Sequence, residues 1–187
     1  MRSFISLNIS NETKEDFYKI QNDVKKNIGE SQVNRIRWEN RDKFHMTLFF
    51  LGDVLPEKII EISYELKSVN SDSQTSGILF KANSINAFPN LKHPRVLIVE
   101  LFNEDKKAVA LYGKIKKVLS QFDFIPDKKF HPHITLGRVK KNQKVNLVEL
   151  TDKIGFDLSF SINSFYLMQS KLDYHGSVYK IIKRFPL

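Results

Sequence analysis

Cysteine is absent from the 187 residues. A disulfide framework, a Cys-ligated zinc site, an iron–sulfur cluster and a thiol nucleophile are therefore excluded. Long hydrophobic runs are absent as well. Stretches such as Val96-Leu97-Ile98-Val99 fall far short of the roughly 20 apolar residues that a membrane helix needs. Residues 1–8 contain neither an apolar h-region nor a small-residue cleavage site. A cytoplasmic protein with no membrane association is expected. No tract rich in Pro, Gly or Ser divides the chain, and no segment is of low complexity. The length suits one domain, or two small lobes sharing a core. Hydrophobic residues at 41% and charged residues at 27% are ordinary globular usage, which excludes disordered and fibrous classes.

Acidic residues are outnumbered, 21 against 30 Lys and Arg, for a net charge of +9. A basic balance is compatible with a polyanionic partner and equally with a solvated lysine-rich surface. Its distribution is more informative. Between Asp127 and Lys144 lie Lys128, Lys129, Arg138, Lys140, Lys141 and Lys144, together with His131 and His133.

Hydrophobic periodicity predicts strands over 2–9, 33–38, 45–51, within 77–88, and over 95–101, 133–139, 156–168 and 178–182. Helical spacing predicts a helix after Ser10 or Asn11, carrying Phe17, Ile20, Val24 and Ile28 and stopping at Gly29. A second begins at Pro56 and carries Ile59, Ile62, Leu66 and Val69. A third covers 105–122, with Val109, Tyr112, Ile115, Leu119 and Phe122 on its apolar face. A short fourth covers 146–154. Short turns between strands favour antiparallel pairing and an α+β architecture.

One short repeat carries chemistry. Residues 45–48 read His-Met-Thr-Leu, and 88 residues later 133–136 read His-Ile-Thr-Leu. In a strand, residues i and i+2 share one face. Each copy thus presents His and Thr on one side and two apolar anchors on the other. A competing register would match His45 with His131, but only His133 also aligns Thr47 with Thr135 and Leu48 with Leu136. Two imidazoles can divide acid and base duties near neutral pH. Two hydroxyls and an arginine, for which Arg138 is the candidate, can hold a phosphate. The set suits attack on a phosphodiester without a metal.

With these residues the chain resembles the two-histidine (2H) phosphoesterase superfamily. Within it the chain is most similar to the RNA 2′,3′-cyclic phosphodiesterases, also called 2′-5′ RNA ligases. Its two HxTx motifs stand as His45-Met46-Thr47-Leu48 and His133-Ile134-Thr135-Leu136. Phe88-Pro89-Asn90, Pro94-Arg95-Val96-Leu97, Gly176-Ser177-Val178-Tyr179 and Phe185-Pro186-Leu187 also match. Ile98 departs from a common Trp, and Gly137 from a common Ala.

The resemblance implies one bilobal domain over 1–187, with two pseudo-symmetric lobes of antiparallel sheet, flanking helices and a cleft between them. It implies hydrolysis of RNA-terminal 2′,3′-cyclic phosphate to a 2′-phosphate, with no metal or other cofactor, by a monomer. His45 would be the proton donor and His133 the proton acceptor; Thr47, Thr135 and Arg138 would bind the phosphate. RNA ends or nucleotides bearing a 2′,3′-cyclic phosphate would be the partners, with 2′-5′ ligation as a possible further activity. Two other classes remain open from the residues alone. His45, His131 and His133 could form a zinc site, or the fold could bind nucleotide without turnover. His131 could orient His133 or line the groove. His93 and His175 read as surface residues, Arg95 as a strand-edge charge, and Tyr174 as a residue that could border the cleft.

Overall fold

The computed structural model describes residues 1–70, 77–126, 129–150, 153–174 and 176–187, without the side chain of Asn70. It contains two antiparallel sheets. One has the order β3-β1-β8-β9, from β1 (Arg2–Asn8), β3 (His45–Asp53), β8 (Ser164–Asp173) and β9 (Gly176–Pro186). The other has the order β2-β6-β5-β4-β7. Its strands are β2 (Ile36–Trp38), β4 (Ile78–Phe88), β5 (Val96–Phe102), β6 (His133–Val139) and β7 (Leu158–Ile162). The α+β class and the two lobes agree with the sequence reading.

Each lobe repeats one unit. In the first, β1 leads into helix α1 (Asn11–Ile28), and the chain returns through β3 to pair antiparallel with β1. In the second, β5 leads into helix α4 (Lys107–Ser120), and β6 returns to pair with β5. The HxT strand therefore lies beside the strand that opens its unit in both lobes. Local chemistry sets the helix ends. Ser10 caps α1 by accepting from the Thr13 amide at 3.1 Å. Gly29 ends it at φ +76°, a region that disfavours a β-carbon. Pro56 opens helix α3 (Pro56–Glu65).

Several boundaries differ from the periodicity reading. Val33 closes a one-turn helix α2 (Glu30–Val33), and only Ile36–Trp38 pairs as strand. Leu66 and Val69 stay buried, but in a 3₁₀ segment that follows α3. Helix α4 buries Ala108, Leu111, Ile115, Val118 and Leu119 and exposes Val109. Ile115 and Leu119 set that stripe, and Val109 falls about 120° away from Ile115 around the helix at 100° per residue. Within the predicted helix over 146–154 the described residues form a 3₁₀ turn at Val148–Leu150, and residues 151–152 lie outside the described residues. Leu147 and Leu150 are buried and Ile154 packs on the core, the spacing that suggested a helix. The predicted strand over 156–168 breaks at Asn163, because the chain there changes sheets, from β7 in one lobe to β8 in the other.

The lobes share a continuous apolar core that includes Phe17, Met46, Leu51, Ile115, Ile134 and Leu136. Three further contacts join them. β2, from the first half of the chain, pairs with β6 of the second lobe. Phe49 of β3, Tyr112 of α4 and Phe130 stack in series, with centroids 4.7 and 4.8 Å apart. Buried Gln21 of α1 donates its amide at 2.9 Å to both the Glu39 and Leu136 carbonyls. At Gly137 the packing leaves no room. A β-carbon there would lie 2.7 Å from Ile36 Cγ2 and 3.3 Å from the Trp38 ring.

Two substitutions test this frame by thermal unfolding. Gln21→Ala takes the amide from the Glu39 carbonyl, while the Leu136 carbonyl keeps the Glu39 amide at 2.9 Å, and is expected to cost about 1–3 kcal/mol. An unchanged melting temperature would show that water replaces the amide. Gly137→Ala forces β2 away from β6, at about 1–3 kcal/mol for overpacking. A neutral or stabilising result would show that Ile36 moves freely.

Candidate active site

β3 and β6 bring their HxT motifs to one cleft of about 720 Å³ between the lobes. Met46, Leu48, Ile134 and Leu136 are buried, which turns the alternate residues outward. His45, Thr47, His133, Thr135 and Arg138 all line the cleft. The structure thus brings together every residue of the sequence-predicted set, in the register that matches His45 with His133.

The two rings are anchored alike. His45 Nδ1 lies 2.7 Å from the Lys43 carbonyl, and His133 Nδ1 lies 2.6 Å from the His131 carbonyl. A carbonyl only accepts, so each Nδ1 carries the proton and donates it. In the neutral ring that leaves Nε2 as the free base. Nε2 of His45 meets the Thr47 hydroxyl at 3.1 Å. Nε2 of His133 has no protein hydrogen-bond partner among the described residues.

The surroundings differ between the lobes. The His45 ring is enclosed by Phe4 and Tyr179, at centroid distances of 5.2 and 5.3 Å. The His133 ring meets the edge of Phe88 at 5.2 Å. Burial pushes both imidazoles below their ordinary range. The carbonyl bonds oppose that shift, while His133, Lys14 and Arg138 reinforce it at His45 and His131 and Arg138 reinforce it at His133. Both rings therefore rest neutral near pH 7. Burial pushes the Tyr179 phenol up, with Glu39 reinforcing and Arg138 opposing, so it keeps its proton in the cleft.

Other expectations divide. His131 does orient His133, but through its main-chain carbonyl; its own ring turns to Glu100, with Nε2 at 3.1 Å from Oε1. Among the described residues no three His, Asp or Glu side chains gather in a metal-ligating cluster, so His45, His131 and His133 do not assemble the zinc site considered from sequence. His93 and Arg95 are exposed, and neither lines the cleft. Tyr174 is exposed and does not border it. His175, Asp127 and Lys128 lie outside the described residues. Among the described cations of the basic stretch, only Arg138 reaches the cleft. The other cations there are Arg2, Arg37 and Lys43, from distant parts of the sequence. Sequence reasoning missed these three and also Phe4 and Tyr179, because only strand pairing brings them to the HxT strands.

Solved structures share this two-lobed arrangement. The crystal structure of Escherichia coli LigT complexed with 3′-AMP superposes with a TM-score of 0.76 at 21% identity, covering 100% of this chain and 97% of that one. A Thermus thermophilus protein superposes with a TM-score of 0.74 at 23% identity, covering 100% and 98%. The fold is thus that of known phosphoesterases. The family described as LigT-like phosphoesterase matches residues 7–98 and 100–179, and the chain belongs to that family. Among relatives, the RNA 2′,3′-cyclic phosphodiesterase of Archaeoglobus fulgidus is 32% identical over 187 residues, 99% of each chain. The enzyme of the same name from Thermotoga maritima is 30% identical over 185 residues, 97% of this chain and 93% of its own.

Burial has a measurable consequence. In the ligand-free protein, NMR titration of His45 and His133 is expected to give midpoints below about 6.5, and inorganic phosphate is expected to raise both, because an adjacent anion favours imidazolium. Free-protein midpoints at or above the ordinary value would show that the rings are solvated. The sign for stability follows. Below about pH 6.5 the unfolded chain takes up protons that the folded rings refuse, so stability present above that pH erodes as pH falls through the lower folded values.

Proposed function

We propose that the chain hydrolyses 2′,3′-cyclic phosphate at RNA ends to a 2′-phosphate, through His45 and His133 and without a metal. The observation that carries this reading is the pair of imidazoles, each anchored at Nδ1 by a main-chain carbonyl, facing one cleft from two HxT strands, with His45 Nε2 on the Thr47 hydroxyl and His133 Nε2 without a protein partner among the described residues. The names of the relatives support the substrate class. His133 Nε2 takes a proton from water, and the water oxygen attacks phosphorus. The P–O3′ bond breaks, and protonated His45 gives its Nε2 proton to O3′. The 2′-phosphate remains, with His133 protonated and His45 neutral; proton exchange with solvent resets both. Although burial disfavours imidazolium at His45, the anionic substrate restores it on binding. Thr47 and Thr135 donate to non-bridging oxygens, and Arg138 adds positive charge. All these groups come from one chain, which supports action as a monomer. The shared core over both lobes supports a single domain over 1–187. No described helix is long and apolar enough to cross a membrane, and we place the activity in the cytoplasm.

The test is turnover of an oligoribonucleotide ending in 2′,3′-cyclic phosphate, with chelator present. Wild type is expected to give the 2′-phosphate. His45→Ala and His133→Ala should each lose about 10²–10⁴-fold, and Thr47→Ala or Thr135→Ala only about tenfold. A substrate with sulfur at the 3′ bridging position leaves without a proton. It should restore His45→Ala and not His133→Ala. Restoration of His133→Ala instead would reverse the two roles, and full activity in both histidine variants would sink the mechanism.

A further inference from the structure

The cleft holds more positive charge than one reacting phosphate requires. A nucleoside 2′,3′-cyclic phosphate is a phosphodiester with a single negative charge. Among the described residues the cleft offers it Arg2, Arg37, Lys43 and Arg138 against one carboxylate, Glu39. Two of these arginines stand directly opposite each other, since Arg37 of β2 and Arg138 of β6 are register partners on adjacent antiparallel strands. Such residues share a face, with β-carbons about 4.5–5.5 Å apart, and like charges there repel. Among the described residues neither arginine forms an ion pair. Nearby Arg41, by contrast, is neutralised by Glu15 at 2.7 Å and Asp42 at 3.1 Å. Glu39 accepts from the Asn40 amide at 3.2 Å and is not bonded to either arginine.

An unneutralised arginine pair on a cleft wall is relieved by an anion lying between the two guanidinium groups. The pair sits three residues along β6 from Thr135, about 10 Å of strand, on the side where the sheet ends at its edge strand β2. We propose that Arg37, with Arg138 shared between this position and the reacting phosphate, forms a second phosphate subsite. It takes the phosphodiester on the 5′ oxygen of the terminal nucleoside, so the preferred substrate is an oligoribonucleotide rather than a mononucleotide. The inference rests on the reading of the cleft as a cyclic-phosphate site. It differs in what it requires: Arg37 serves the neighbouring phosphate and not the reacting one.

Two measurements test it. In the first, kcat/KM is compared for adenosine 2′,3′-cyclic phosphate and for the dinucleotide ApA with the same cyclic end. Wild type is expected to prefer the dinucleotide about tenfold, the size of one charge-assisted contact. Arg37→Ala should bring that ratio close to one, and Arg37→Lys should recover part of it. Equal losses on both substrates, or an unchanged ratio, would overturn the proposal. The second needs no turnover, so it separates failure of this inference from failure of the proposed activity. The single tryptophan, Trp38, lines the cleft and reports binding of adenosine 2′-monophosphate and of ApA 2′-phosphate. The dinucleotide should show a salt slope steeper by about 0.7, the value for one additional phosphate on a single strand. Arg37→Ala should remove that difference. Equal slopes in the wild type would overturn the second subsite even if hydrolysis is intact.

Discussion

Each cleft histidine donates its Nδ1 proton to the carbonyl two residues before it, and the chemistry of the cleft depends on that bond. It selects the tautomer, fixes the ring plane and leaves Nε2 as the reactive nitrogen. A carbonyl is available there because the chain is only entering the strand: His45 and His133 are the first residues of β3 and β6. One residue later the ladder governs the main chain, and Met46 and Ile134 face the core. The motif must therefore stand at the mouth of its strand. Both copies do.

Two such strands face each other only if the lobes hold a fixed relation. Shared burial supplies most of that, through a core that runs under both sheets. Directional contacts supply the rest. The Gln21 amide bridges the main chain before β3 to that of β6, and the Phe49–Tyr112–Phe130 stack spans from β3 to the approach to β6. The β2 strand crosses from the first half of the chain to the second sheet. The close approach at Gly137 belongs to the same arrangement, since it seats Ile36 and Trp38 against β6. The geometry of the cleft is thus a property of the interface between repeats.

Electrostatics separates the lobes that topology makes alike. Opposite His45 in the β1–β3 ladder stands Asn8, and opposite His133 in the β5–β6 ladder stands Glu100. One imidazole is wrapped by Phe4 and Tyr179; the other lies beside Phe88 and near His131. Burial holds both neutral at rest, and four cationic side chains keep the cleft ready for an anion. A neutral pair of rings within a positive wall suits an anionic ligand, whose charge favours the imidazolium form on binding.

Much of this is legible in the residues. The two His-x-Thr tripeptides, their apolar phase, the absence of cysteine and the runs that become β1, β3, β5, β6 and α1 depend on local spacing, which the chain carries with it. The single strand predicted over 156–168 fails because both of its halves are good strand; only the packing of two sheets decides that the chain changes partner at Asn163. Over 146–154 the apolar residues Leu147, Leu150 and Ile154 keep helical period and pack on the core, yet among the described residues the backbone there closes only a 3₁₀ turn. The basic stretch reads as the substrate wall, yet Arg2, Arg37 and Lys43 join Arg138 there. The sequence by itself determined which side chains are candidates for the chemistry and which face of each strand they occupy, since a period of two residues is local. Only the tertiary structure decided that the two motifs share a cleft, which nitrogen of each ring is free, and which charges surround them. Those depend on pairings between residues tens of positions apart, which no local pattern encodes.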